Sequence, residues 1–401
     1  MQKISLPTTE RIESLDLLRG IALLGILIIN IQSFAMPQAA YLNPTVWGSL
    51  DGLNGFVWGL SHFFFDQKMM AIFSILFGAG IILFTERSQS PLKYHYRRNF
   101  WLLVFGLIHA YLFWYGDVLV AYALSAFFIY PFRNLSVRKL FVLSILFLSV
   151  ASIFYTITGF SLPFIPQEVI EQEFLPSWTP TKEMISNEII AYQGGWIHQI
   201  ATRANTALEM QTFVFIIWAF WRTAGLMFMG MGLYRLGVLT GNASERLYRS
   251  LLLLAVLIGF PLVGFGIYWN FKIGWTLESM FLGSQFNYWG SLFISLGWIA
   301  LIVVLQGKHL WQGFSARLCA VGRMAFTNYI MQSLILGFIF YGHGLGLFSE
   351  VDRVGQFLIV IAIWTFQLCL SPWWLSRFHY GPLEWLWRSL TYYRRFSFKK
   401  V

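Results

Sequence analysis

The sequence predicts an all-α polytopic membrane protein, a bundle of about ten transmembrane helices with both termini cytoplasmic. Three observations predict it. First, of 401 residues 57% are apolar and 11% charged, and the mean hydropathy is +0.61. A soluble chain of this length could not hide that much apolar surface, so lipid must be part of its solvent, where helices satisfy their own backbones. Second, the chain carries 18 Trp and 18 Tyr, the residues that populate interfacial belts. Third, Lys and Arg are distributed unevenly between alternate loops.

In chain order, apolar runs place spans near 15–36, 68–86, 98–115, 118–132, 139–158, 211–234, 248–270, 284–305, 322–341 and 355–374. With the N-terminus inside, the cytoplasmic segments hold Lys3, Arg11, Arg19, Arg87, Lys93, Arg97, Arg98, Arg133, Arg138, Lys139, Arg235, Arg246, Arg249, Lys308, Arg317 and Arg323, and the tail from Arg377 to Lys400. Only Lys68, Lys182, Arg203, Arg222, Lys272 and Arg353 fall elsewhere. A further span at 51–66 would invert this pattern, so Asp51 to Gln67 reads as an interfacial or re-entrant segment on the outer side. The chain then divides into an N-terminal membrane half, 1–158, and an extracytoplasmic loop or cap, 159–210. A C-terminal membrane half, 211–374, and a basic aromatic cytoplasmic tail, 375–401, follow. No repeat relates the halves. The first helix, lacking a cleavage site, should stay as a signal anchor in a cell inner membrane.

The net charge of +10 follows from this topology and calls for no nucleic acid. Cys319 and Cys369 cannot build a disulfide framework. The His residues lack ligand spacing with acidic partners, so no metal is expected. Exposed glycine faces permit a homodimer.

Several polar residues stand in apolar runs, where they are costly and point to protein or to a wet cavity. Arg19 and Asn30 are eleven residues apart, nearly one face of a helix and about 16 Å along its axis, a polar route into the bilayer beside Asp16. His109, in Gly106-Leu-Ile-His109-Ala, suits a general base, or a structural imidazole. Asp117 follows a Tyr-Gly turn and would cap the next helix or orient His109. Asp66 and Lys68 would form an ion pair, or Lys68 would hold an anionic acceptor; His62 is a weaker base. Arg222 would pair with Asp66, Asp117 or a substrate anion. Asn328 and Gln332 share a face behind Arg323, for hydrogen bonds between helices or for a polar ligand entering from the cytoplasm. Gly78, Gly80, Gly230 and Gly232 read as packing sites. In Gly381-Pro382-Leu-Glu384, Glu384 falls in the first turn of an interfacial helix, with Arg388 near lipid headgroups or a phosphate.

Together, Ser14-Leu-Asp16-Leu-Leu-Arg19-Gly20 with Asn30, Phe73-Ser-Ile-Leu-Phe-Gly78-Ala-Gly80, Gly106-Leu-Ile-His109 with Tyr115-Gly-Asp117, Gly322-Arg323-Met-Ala-Phe-Thr-Asn328-Tyr329 and Gly381-Pro-Leu-Glu384-Trp385-Leu-Trp387-Arg388 resemble the YeiB family, which carries the domain of unknown function 418. The resemblance covers essentially the whole chain. That family is similar to a superfamily of membrane acyltransferases that includes the heparan glucosaminide N-acetyltransferases and bacterial enzymes acylating envelope glycans. The resemblance implies a cytoplasmic acyl-CoA donor, acetyl-CoA foremost, and a small-molecule or glycan acceptor on the far side. Arg19 and Asn30 match the glucosaminide enzymes' arrangement; the glycan O-acyltransferases have His at the second position. Gln32 to Ser61 contains no His where the glucosaminide enzymes place theirs, which leaves His109, His62 or no residue as base. On this reading Asp16, Arg19, Arg98, Arg323, Asn328 and Gln332 face the donor, Asn30 holds the thioester oxygen, and Asp66, Lys68, Asp117 and Arg222 line the acceptor side. The competing expectation is a transporter or flippase for a small or lipid-linked solute, with the same buried groups binding and releasing cargo.

Overall fold

The computed structural model describes residues 12–307 and 312–400; Lys3, Arg11 and Lys308, part of the charge pattern above, lie outside them. Among the described residues there is no strand beyond one isolated bridge between Phe378 and Lys399, and the fold is an all-α bundle. Its helices are α1 (Glu13–Ala35), α2 (Gly52–Phe64), α3 (Lys68–Glu86), α4 (Pro91–Leu112), α5 (Leu119–Ile129), α6 (Val137–Ser161) and α7 (Lys182–Gln193). There follow the continuous helices α8 (Trp196–Arg235), α9 (Glu245–Lys272) and α10 (Ser279–Gly307). The chain ends with α11 (Gln312–Arg323), α12 (Ala325–Phe340), α13 (Arg353–Arg377) and α14 (Pro382–Tyr392).

Local chemistry explains many boundaries. Helix α1 stops at Met36, whose extended backbone is the conformation that Pro37 imposes on its predecessor. Helices α4 and α14 begin on Pro91 and Pro382, where the missing N–H costs nothing. Thr181 caps α7 by accepting from Met184 N at 3.2 Å, and Asp352 caps α13 through Gly355 N at 2.8 Å. Between α2 and α3 the chain passes through left-handed Gln67, a break within the apolar stretch Gly52–Glu86.

Seven stretches among the described residues are long and apolar enough to cross a membrane: Glu13–Ala35, Gly52–Glu86, Val137–Phe164, Trp196–Arg235, Glu245–Lys272, Ser279–Gly307 and Arg353–Arg377. The chain is thus a multi-pass membrane protein. The expected third, fourth and ninth spans are helical too, but α4 opens with Lys93, Arg97 and Arg98, and α5 and α12 are only 11 and 16 residues long.

The two halves of the chain interleave. Helix α8 packs most extensively on α3 and α6, and α1 on α11. Both α8–α3 and α1–α11 are glycine crossings: a Cβ on Gly78 or Gly230 would strike the carbonyl of Met227 or Ile75, and one on Gly20 or Gly322 would strike that of Leu318 or Asp16. Backbones approach this closely only without side chains between them. The 159–210 segment ties onto one end of the bundle. Glu188 accepts from Gln38 N just beyond α1 at 2.9 Å, Trp196 Nε1 donates to Leu112 O at the end of α4 at 3.0 Å, and Trp178 Nε1 donates to Trp275 O at 2.9 Å. Arg19 and Arg98, near the N-termini of α1 and α4, lie at the opposite end.

Candidate functional site

His109 stands in the last turn of α4, where the chain breaks into a short loop and returns as α5. That return brings Asp117 back to its own predecessor helix: Asp117 Oδ1 lies 2.7 Å from His109 Nδ1, and both side chains are 1% exposed. The other carboxylate oxygen, Oδ2, accepts from Val120 N at 2.8 Å. Asp117 thus performs both roles the sequence allowed, cap of α5 and orienter of the imidazole. The second ring nitrogen, Nε2, meets Ser333 Oγ of α12 at 2.9 Å, and Ser333 is 4% exposed. Ser333 Oγ also reaches Tyr329 O at 3.4 Å, so its one hydrogen serves either that carbonyl or His109 Nε2. The three side chains form an Asp–His–Ser relay.

The relay is walled by aromatic rings. Tyr329 lies 5.1 Å from the imidazole and Trp114 6.2 Å. Trp114 stacks on Phe34 of α1 at 4.6 Å, and its Nε1, buried, has no acceptor. Asn30 is one turn before Phe34 on the same helix. It is half-buried, and its side chain has no hydrogen bond to another described residue.

Asp66, Lys68 and Arg222 come together in a separate knot at the start of α3. Lys68 Nζ donates to His62 O at 2.7 Å and to Asn287 Oδ1 at 2.6 Å. The amide of Asn287 donates in turn to Asp66 Oδ2 at 2.7 Å, which also lies 3.2 Å from His62 Nδ1. Arg222 takes Tyr288 O at 2.8 Å and Ser291 Oγ at 2.6 Å, with its guanidinium 4.2 Å over the Tyr288 ring. Lys68 and Arg222 are both fully buried. Arg222 makes no hydrogen bond to Asp66 or Asp117, although it lies within electrostatic reach of Asp66. Asn287, one residue before Tyr288 in an aromatic-rich run, gave no signal in the sequence, yet it is the bridge between the two charges.

At the other end of the bundle, Arg19 pairs with Asp16 at 2.8 Å. Arg98 lies 4.3 Å over Trp387 of α14, whose Nε1 donates to Arg98 O at 2.8 Å. The guanidinium of Arg98 is within electrostatic reach of Arg19 and Arg388, so three like charges converge there; Arg323 and Asp16 both act on Cys319 nearby. Asn328 and Gln332 hold α12 to its neighbours. Asn328 Nδ2 donates to Val321 O at 3.1 Å and Ser371 Oγ at 3.0 Å, and Gln332 Nε2 donates to Gln367 Oε1 at 2.9 Å. Glu384 caps not its own helix but α12: it accepts from Phe326 N at 2.7 Å, Thr327 N at 3.0 Å and Thr327 Oγ1 at 2.5 Å. Burial pushes its carboxyl above the ordinary range against the pull of those hydrogen bonds.

A narrow cleft of about 10 Å³ lies between α1, α2 and α13, beside Gln32, Ser61, Arg353 and Gln356; none of the candidate residues lines it. Of the sequence candidates, the structure unites His109 with Asp117, Asp66 with Lys68 and Arg222, and Arg19 with Arg98. It adds Ser333, which no spacing marked, because a serine in an apolar helix ordinarily bonds its own backbone. Among the described residues no group of three His, Cys, Asp or Glu side chains could hold a metal ion.

Residues 233–394 match the family described as "Protein of unknown function (DUF418)". The chain is 31% identical over 392 residues to the uncharacterized protein YeiB of Escherichia coli (strain K12), covering 95% of this chain and 96% of that protein. It is 30% identical over 406 residues to the uncharacterized protein YxaH of Bacillus subtilis (strain 168), covering 96% and 95%. A third relative, the uncharacterized 39.9 kDa protein in the amylase 3' region of Bacillus acidopullulyticus, is 26% identical over 392 residues.

Proposed function

The chain belongs to the YeiB-like DUF418 family, and we propose that it is a membrane-bound acyltransferase. It would move an acyl group from cytoplasmic acyl-CoA, acetyl-CoA foremost, to a hydroxyl or amine acceptor on the far side of a cell inner membrane. The observation that supports this most is the buried Asp117–His109–Ser333 relay, with hydrogen bonds of 2.7 and 2.9 Å. A buried histidine held between a carboxylate and a hydroxyl has the geometry of a general base.

In this reading the acceptor attacks the thioester carbonyl and gives its proton to His109 Nε2 by way of the Ser333 hydroxyl. The C–S bond breaks, and the departing thiolate takes up the proton. Asp117 stabilises the imidazolium formed between the two steps. The amide of Asn30 donates to the carbonyl oxygen as negative charge develops. Arg19, Arg98 and Arg323 receive the donor's phosphates, a pairing for which arginine forks are suited. The hydrogen bonds of Asn328 and Gln332 give them a helix-locking part instead, and Lys68 and Arg222 hold the bundle beside the acceptor path.

The test is incubation of purified protein with acetyl-CoA and candidate acceptors, reading release of free thiol. His109→Ala and Asn30→Ala should abolish acceptor-dependent release while the protein stays folded. Normal turnover in His109→Ala would remove that residue's role. The second reading, a transporter or flippase, draws on the buried charges of Lys68, Asp66 and Arg222, a common mark of ion and solute paths. No binding of acetyl-CoA at all would favour it.

A further inference from the structure

Arg203 lies on α8, in the helical run Trp196-Ile-His-Gln-Ile-Ala-Thr-Arg203 that the sequence places in the outer loop. A long cation there should reach for water, yet Arg203 is 0% exposed. Its Nε donates to Tyr111 O at 2.9 Å. That bond, with the one from Trp196 to Leu112 O, caps the last turn of α4, where a positive charge meets the negative end of the helix dipole. Capping explains one of the five guanidinium N–H groups. The two terminal nitrogens, Nη1 and Nη2, are buried and have no acceptor.

The surroundings supply no counter-charge. The Trp196 ring lies 5.5 Å from the guanidinium, and the electrostatic neighbours of Arg203 are the hydroxyls of Tyr192 and Tyr341 and the imidazole of His343. Among the described residues it forms no ion pair with a carboxylate, and Glu188, the nearby acid of α7, is engaged with Gln38 N. A buried cation with an unfilled fork is an expensive arrangement unless an anion completes it. The Tyr341 hydroxyl is likewise buried and without a partner.

This fork is also close to the relay. Tyr111, whose carbonyl holds Arg203, is two residues beyond His109 on α4. From the Arg203 side, the Tyr341 ring stacks on Phe34 at 5.7 Å, Phe34 on Trp114 at 4.6 Å, and Trp114 lies 6.2 Å from His109. We propose that Nη1 and Nη2 of Arg203 bind an oxyanion, carboxylate or phosphate, carried by the acceptor, which anchors that molecule under the cap with its reactive hydroxyl or amine toward His109. Two parallel N–H···O bonds match the geometry of such a group, and the Tyr341 hydroxyl adds a third donor. The step to an acceptor rests on the acyltransferase reading; the anion site does not.

The experiment uses the full-length protein in detergent and three probes: orthophosphate, D-glucuronate and, as a neutral match, D-glucose. Binding is read by thermal shift and calorimetry in wild type, Arg203→Lys and Arg203→Met. Orthophosphate or glucuronate should bind wild type, with at least a tenfold weaker dissociation constant in Arg203→Lys and none measurable in Arg203→Met; glucose should show no such dependence. Arg203→Lys keeps the buried charge but loses the planar fork, so it keeps the test decisive if Arg203→Met fails to fold. With acetyl-CoA present, Arg203→Lys should raise KM for glucuronate at least tenfold with kcat within threefold, a split that a merely structural role would not give. Anion binding without any acyl transfer upholds the site and ends the acyltransferase reading. Dissociation constants within twofold across wild type and Arg203→Lys, or no anion binding while transfer to neutral acceptors proceeds, would overturn the site.

Discussion

Arg222 and Arg203 lie on one continuous helix, Trp196–Arg235, and both are fully buried, but the regions around them are built differently. Around Arg222 the terminal nitrogens reach Tyr288 O and Ser291 Oγ, and next to it Lys68, Asn287, Asp66 and His62 are linked in one chain of hydrogen bonds. Around Arg203, two guanidinium nitrogens, the Tyr341 hydroxyl and the Trp114 indole N–H are buried without partners. The first region is a nearly closed network that fixes helices, with Arg222 Nε its one buried guanidinium nitrogen left unmet. The second, which includes the His109 relay, has donors in place and acceptors missing, as a site prepared for a ligand should. The two arginines are equally buried; they differ in their surroundings, a carboxylate near Arg222 and none against Arg203, and in how many of their nitrogens are met.

That contrast can be broken or sharpened by substitution. The largest effect belongs to the open region. His109→Ala should lower acyl transfer by about 10²–10⁴-fold, the range for loss of a general base, in a protein that still folds but melts lower, because Asp117 stays buried without its ring partner. An unfolded His109→Ala protein would mean that the relay is structural and the contrast false. Next comes the closed region. Lys68→Ala leaves Asp66 and Asn287 without their cation and should destabilise the protein by about 3–5 kcal/mol, as for one partner removed from a buried charge network. Denaturant unfolding measures it, and the rate per folded molecule should hold. A stable Lys68→Ala protein that has lost transfer would move Lys68 into the site.

Smaller effects test the frame that holds the two regions. Glu384→Ala removes three hydrogen bonds from the start of α12, the helix that carries Ser333. The expected loss is about 1–2 kcal/mol, that of a helix cap, together with a reduced transfer rate; a rate unchanged at lowered stability would show that Ser333 tolerates the shift. The smallest effect is a pH dependence in the cap. Burial pushes the Glu188 carboxyl up to about 7 from 4.5. Folded protein therefore holds that proton more tightly than unfolded protein, so the contribution is full below pH 4.5 and is lost as pH rises through about 7. Hydrogen exchange in α7 should slow from pH 8 to pH 5, after correction for intrinsic exchange, and Glu188→Gln should flatten the trend. An equal slope in Glu188→Gln would assign the dependence to another group.

Much of the frame was legible from local sequence. Pro37 ends α1, Pro91 starts α4, and the glycines at 20, 78, 230 and 322 sit at the closest helix crossings. The pairing of His109 with Asp117 was open to sequence reasoning because only eight residues separate them. Glu384 shows where such reasoning stops: its place in the first turn of α14 pointed to its own helix, whereas it serves the N-terminus of α12, 57 residues away.

By itself the sequence determined the solvent, the helices and their breaks, because hydropathy, proline and glycine act on residues within a turn or two of themselves. The tertiary structure alone decided which polar atoms are met. Ser333 reaches His109 across 224 residues and Asn287 reaches Lys68 across 219, and the two terminal nitrogens of Arg203 find nothing. Those outcomes depend on how helices distant in the chain are rotated and spaced against one another, a property that no local pattern encodes.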